Sequence, residues 1–418
     1  VRLIELLTTL RDPATIRLRC AAITRSVAEG RSSHFRIDRS RLDAVAERVA
    51  ALTLQRFPDL KIPYHSRWRH FEAGGVDRKA ELDALLAGRS GADVARAQID
   101  LTVVSVLLDA GAGPAWKYHE GASDGGQDFT RSEGLGVASF RAFVAGTFAS
   151  DMADPLRADG AALRRIDGAV LRNVFQASPS NAMVGLEGRA GLLSRLGDVL
   201  LAEAARSGAP ASAARPGMLF DRLTVGGRSS VSAAEVLGAV LRLFAPAWRS
   251  GSTIQGQPAG DVWPHRFAGF DCREGRDEST PGWVPFHKLS QWLSYSLLEP
   301  LQWAGLKVTD LDALTGLPEY RNGGLLLDGG VIVARHAGDL AKHWKPVDEF
   351  IVEWRALTVT LLDEVAVRVR ERLGRSADEL PLACILEGGT WAAGRQIAAE
   401  LREGGPPPLQ IESDGTIF

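Results

Sequence analysis

The chain has 418 residues, of which 45% are hydrophobic and 24% charged, and its formal net charge is -2. That length can bury a large core and favours two lobes over one. The balanced charge argues against a general nucleic-acid binder, whose footprint is a strong basic excess, although local basic spots such as Arg67-Trp68-Arg69-His70 occur. Cys20, Cys272 and Cys384 lie far apart without paired spacing, so neither a disulfide framework nor a thiolate zinc site is expected.

Leu3, Ile4, Leu6 and Leu7 are cut off by Arg11-Asp12-Pro13, too short and wrongly flanked for a signal peptide, and no later run is long enough to span a bilayer. A cytoplasmic location with no membrane association is the resulting expectation. Asp12-Pro13 reads as an N-cap with a first-turn proline, and Gly30 closes that helix. Residues 40–55 place Leu42, Val45, Val49 and Leu52 on one stripe. Residues 93–108 become wholly apolar near their end and read as a central buried helix. Helical patterns continue over 136–148, 162–175 and 189–205, and 207–217 has linker composition.

Beyond it come helices over 233–244, from Phe286, over 347–373 and over 390–402. Leu325 to Val333, interrupted by Asp328-Gly329-Gly330, and the C-terminal run through Asp414-Gly415 carry hairpin signals. The expected fold is mainly α: a two-lobed, multi-helix globular protein with small β-hairpins. Its lobes would span 1–206 and 218–418, joined by 207–217.

Chemistry concentrates at Leu317-Pro318-Glu319-Tyr320-Arg321-Asn322-Gly323-Gly324, where a carboxylate, a phenol and a guanidinium sit between a proline and a glycine pair. They offer an acid or base, a stacking ring and an anion clamp, a set suited to a small phosphorylated substrate. In the aromatic helix Lys288, Gln291 and Tyr295 share one face, which is either solvent-exposed or a pocket wall, and Trp292 lies on the apolar stripe.

Asp109 follows an apolar helix, so the negative helix end and apolar neighbours would raise its pKa; a surface acid capping the next loop is the competing reading. Trp116 and Lys117 either bring a ring and a cation to that helix end or belong to a solvated loop. Ser132 and Glu133 open a helix that holds an oxyanion or is simply capped, with Glu133 near the positive dipole end. No pair of histidines has a common metal-ligand spacing, and no P-loop or Gly-x-Ser-x-Gly elbow is present, so no metal and no cofactor is expected.

His287 to Leu293, Leu314 to Asp328, Ser132 to Gly136 and Leu386-Glu387-Gly388-Gly389-Thr390-Trp391 resemble the URC-pathway uracil-catabolism family. The resemblance implies a role in degrading uracil through a ribosylurea-type intermediate, with other uracil-catabolism enzymes as partners. More distantly, Leu317 to Arg321 and the run ending Leu107-Leu108-Asp109 are similar to motifs of queuosine-salvage nucleotide hydrolases. Those helical proteins are related to DNA glycosylases and cut an N-ribosyl bond; here Glu319 stands where they have aspartate, one methylene longer.

Together the likenesses imply an N-glycosyl hydrolase acting on a ribosylurea or pyrimidine nucleotide. Glu319 would stabilise the cationic sugar and Asp109 would protonate the departing nitrogen. Lys288 and Arg321 would hold phosphate, and Tyr320, Trp292 and Trp391 would line the sugar or base. A ureido or amide hydrolase and a non-catalytic nucleotide-binding protein are the alternatives.

Overall fold

The computed structural model describes residues 3–121, 126–248, 251–271, 275–276 and 282–412. Among them, the longer helices are α1 (Pro13–Ala28), α2 (Leu42–Arg56), α3 (Gly91–Leu107), α4 (Arg131–Val144) and α5 (Leu186–Arg206), followed by α6 (Ala233–Phe244), α7 (Lys288–Trp303), α8 (Tyr320–Asp328), α9 (Glu349–Leu373) and α10 (Trp391–Leu401). Strands form only separate two-stranded pairs, among them Phe35–Ile37 antiparallel to Ile332–Ala334 and Ser230–Ser232 parallel to Lys307–Thr309. The fold is mainly α, as its periodicity predicts. No described helix is long and apolar enough to cross a membrane.

Local chemistry sets the helix ends. The Asp12 carboxylate accepts from the Ala14 N–H at 3.0 Å with Pro13 in the first turn, and Gly30 adopts φ 77° beyond the C-cap. Ser232 and Glu235 form a reciprocal capping box at the start of α6. The region 162–175, expected as one helix, divides into Gly160–Leu163 and Gly168–Val174, because Asp159 and Asp167 each cap a separate start. Leu325 to Val333 is not a hairpin. Glu319 caps α8, which runs to Asp328, and Gly329-Gly330 end it before Ile332–Ala334 pairs with Phe35–Ile37. Gln410–Ile411 pairs in parallel with His343–Trp344, while the Asp414-Gly415 turn lies outside the described residues.

One continuous apolar cluster runs from Ile16 to Ile411. Its axis is α9, which packs against α1 and α2 and meets α8 through the Trp354 indole, whose N–H donates to the Gly323 carbonyl at 3.2 Å. A second contact sets α7 along α3. Segment 207–217 lies against this body: Ala214 is fully buried and Arg215 pairs with the buried Asp100 at 2.7 Å. Cys20 and Cys384 are buried free thiols, and Cys272 lies outside the described residues.

The start of α7 is held by Asp261. Its buried carboxylate accepts both Arg355 guanidinium nitrogens at 2.7 Å, the Trp263 N–H at 2.6 Å and the Lys288 backbone N–H at 2.9 Å. Helices α8 and α10 touch so closely that a Cβ on Gly394 would lie 2.1 Å from the Arg321 carbonyl oxygen. Gly394→Ala is therefore expected to cost about 1–3 kcal/mol by overpacking. A thermal melt checks this, and an unchanged melting temperature would disprove the close approach.

Candidate functional site

Helix α3 ends at Leu107, and Asp109, half-buried, follows two residues later. The reading that Asp109 has a raised pKa is corrected by the structure. Burial does oppose its charge, but Arg67, His70, the Ser132 hydroxyl and Lys288 together hold its carboxyl below the usual range. The helix end itself is neutralised from far along the chain. Arg189 donates to the Leu108 carbonyl at 3.0 Å and to the Ala110 carbonyl at 2.7 Å, so the negative end of the dipole faces a guanidinium.

Arg67, wholly buried, lies under this corner with Nη1 3.0 Å from the Asp109 carboxylate. It also donates to the Ser105 hydroxyl at 2.7 Å, to His70 Nδ1 at 3.0 Å and to the Ser132 carbonyl at 3.1 Å. The glycine at 136 lets α4 pack over this residue group, since a Cβ there would meet the His70 Cβ at 2.8 Å.

Glu319 is the N-cap of α8. Its two carboxylate oxygens accept the Arg321 and Asn322 backbone N–H groups at 2.8 and 2.7 Å, which fixes the side chain while leaving further lone pairs open. Burial lowers the pKa of Lys288 and the Arg355 charge adds to this, while the charges of Glu319, Asp261 and Asp109 act to raise it.

Trp292, one helical turn on from Lys288, is 8% exposed, with the His65 ring centroid 4.8 Å and the His70 centroid 6.1 Å from its own. His65 Nδ1 lies 2.8 Å from the Glu387 carboxylate. Burial opposes the Glu387 charge, but His65, Arg56 and His70 hold its pKa below the ordinary value. Glu387 sits in a π-helical turn, Leu386–Thr390, of the kind that interrupts helices at functional sites. His65, Arg67, His70 and Glu387 are absent from the residues singled out by sequence. The basic spot Arg67 to His70 and the Leu386 to Trp391 run mark their neighbourhood, but not that they converge.

Other expected site residues take different places. Trp116 is buried and donates to the Phe175 carbonyl at 2.9 Å, and Lys117 forms an exposed ion pair with Asp128. Tyr295 and Gln291 are fully buried and bind Thr315, through its carbonyl and hydroxyl respectively, each at 2.9 Å. These two side chains are not solvent-exposed and fix the turn that leads to Glu319, whereas Lys288 on the same face is half-buried. Tyr320 donates to the Ile411 carbonyl at 3.1 Å, and burial with the Glu319 charge pushes its phenol up to about 12.

Arg321 bonds the Gly405 carbonyl at 3.1 Å, and its pKa is lowered by burial and by the charges of Arg395, Arg131 and Arg402. Arg395 also lies over the Trp391 ring, 5.8 Å from its centroid. Ser132 and Glu133 lie in the first turn of α4, half-buried beside Arg67; the Thr130 side chain makes no cap there.

A family described as "Protein of unknown function (DUF1688)" matches residues 9–418. The chain belongs to this family. It is 37% identical over 424 residues to "Uracil catabolism protein 4" of Lachancea kluyveri, covering 93% of each chain. It is also 37% identical over 412 residues to "Protein urg3" of Schizosaccharomyces pombe, covering 96% of each. The uracil-catabolism likeness carried by Lys288, Glu319 and Glu387 holds at the level of the family.

His70 gives the site an acid-sensitive element. Burial first, and then the Arg67 charge, lower its pKa to about 4, so the ring is neutral at pH 7 and Nδ1 can accept from Arg67. Between about 6.5 and 4 the unfolded chain binds a proton at this ring that the folded chain does not, so its contribution to stability falls with pH, by at most about 1.4 kcal/mol per unit. His70→Asn, which can keep an acceptor for Arg67, should lessen the drop in melting temperature between pH 7 and pH 5. An equal drop in both proteins would remove His70 as the cause.

Proposed function

We propose that this protein acts in uracil catabolism, hydrolysing the N-ribosyl bond of a ribosylurea or pyrimidine nucleotide intermediate. The printed names of its relatives supply the pathway. The observation that supports the chemistry is the Glu319 carboxylate, fixed at the start of α8 by two backbone N–H groups, whose charge acts with that of Asp109 on Lys288. We read these groups as lining one crevice.

Cleavage of an N-ribosyl bond passes through a sugar with oxocarbenium character. Glu319, fixed by two backbone N–H groups, is a preorganised anion of the kind that stabilises such a charge and orients the attacking water. Asp109 does not serve as the general acid, since its neighbours favour the ionised form. Its role is to orient Arg67 and balance Lys288. Arg321, on which the charges of Arg131 and Arg395 act, and Lys288 form the phosphate end in this reading. Trp292, flanked by two imidazoles, offers the surface on which a planar leaving group packs.

A second reading, hydrolysis of a ureido carbonyl by water activated at His65, is favoured by the 2.8 Å contact of that ring with Glu387. A cysteine nucleophile is disfavoured at Cys384, whose buried thiol is pushed up to about 12.

Incubation with ribosylurea phosphate and uridine nucleotides, followed by mass detection, separates these readings. Release of intact urea or base with free ribose phosphate supports the first; ammonia with an intact ribosyl bond supports the second; bound but unaltered ligand supports a carrier. Glu319→Gln retains an oxygen to cap α8 and should lower kcat by about 100-fold or more. Unchanged turnover with the variant would exclude Glu319 from the mechanism.

A further inference from the structure

We propose that Arg67 is the oxygen-binding residue of the crevice, donating from Nη2 to the carbonyl oxygen conjugated with the departing nitrogen. This rests on the N-ribosyl reading and supplies the leaving-group partner that the reading needs once Asp109 is not an acid. Three observations support it.

Arg67 is wholly buried, and its Nε and Nη1 are engaged by Ser105, Ser132, His70 and Asp109. Its buried Nη2 has no acceptor in hydrogen-bonding geometry. A guanidinium carries five N–H donors, and leaving one unmet in the interior costs about 1–3 kcal/mol, so an acceptor brought by a ligand is the natural complement. The donor is held in a fixed plane by partners on four sides, which is the preorganisation that charge stabilisation in a transition state requires.

The location agrees with the chemistry. His70 and Asp109, the two neighbours of Nη1, are both half-buried, so the wholly buried guanidinium lies directly behind side chains that reach the surface. The Trp292 ring lies beside His70, with the two centroids 6.1 Å apart.

In the step proposed, the bond from the ribose C1′ to nitrogen breaks and its electron pair stays on the nitrogen, delocalised onto the conjugated carbonyl oxygen beside Arg67. Water oxygen bonds to C1′, and the proton that water loses ends on the released nitrogen. One water is consumed, and no oxidant or reductant is involved.

The test uses the full chain. Arg67→Lys keeps the cation but loses the planar fork. On uridine 5′-phosphate it should lower kcat/KM by about 100-fold. On 5-fluorouridine 5′-phosphate, whose departing base carries negative charge more readily, the loss should shrink to about 10-fold or less. Equal slowing on both substrates would mean a merely structural role and overturn the inference while leaving N-ribosyl hydrolysis standing.

A measurement on the unsubstituted protein guards against a variant that fails to fold. By calorimetry, uracil should bind at least about 10-fold tighter than 4-pyrimidinone, which lacks the 2-oxygen, because the analogue leaves the buried donor unmet. Equal affinities, or no binding of either, would overturn the oxygen site. Should oxygen-dependent binding occur with no ribosyl substrate cleaved, the oxygen site stands and the hydrolase reading falls.

Discussion

The carboxylate of Asp261 is the interaction on which the placement of the crevice depends. It is buried, accepts both arms of the Arg355 guanidinium at 2.7 Å, and at 2.9 Å receives the backbone N–H of Lys288. One side chain thereby links the axial helix α9 to the first residue of α7. His287 precedes it in a left-handed conformation, φ 48°, and its Nε2 lies 2.8 Å from the Leu10 carbonyl, which pins the entry to the helix from another side. A desolvated ion pair adds little net stability but restricts geometry closely when every donor is matched. The backbone of Lys288 is positioned by this arrangement.

From there the site is assembled in two layers. Buried polar groups hold the turns: Gln291 and Tyr295 fix Thr315, and Arg189 closes the end of α3. Half-buried groups make up the second layer: His65, His70, Asp109, Lys288, Glu319 and Glu387. The first layer accounts for the electrostatics of the second. Without Arg189 on the α3 carbonyls, and Arg67 beneath, the carboxyl of Asp109 would face a negative helix end in an apolar setting.

Much of the fold was legible in the chain because its signals are local. Asp12-Pro13 and the apolar run to Leu108 mark helix limits by short-range chemistry that the structure repeats. Lys288 and Glu319 drew attention in the chain through residue type, one as a cation in an aromatic helix and the other as a carboxylate beside a phenol and a guanidinium. What was not legible is long-range. The sign of the Asp109 shift depends on Arg67 and Arg189, and a charged residue in a basic run such as Arg67 to His70 reads as surface until its partners are known. Tyr295 looked available on a helical wheel, yet its phenol is taken by Thr315. Asp167 was read through as one helical residue among others, though it begins a new helix.

The π-helical turn at Leu386–Thr390 has a consequence of its own. Its extra residue is accommodated by a wider loop of backbone, and Arg56 reaches across to bond the Glu387 and Gly388 carbonyls that the widening frees. Removing a single residue from that turn would restore ordinary winding and swing the Glu387 side chain about 100° around the helix axis, away from the imidazole it holds. The segment is thus constrained in residue number as well as in residue type: a shortening that leaves every side chain of the crevice in place would still dismantle one wall of it.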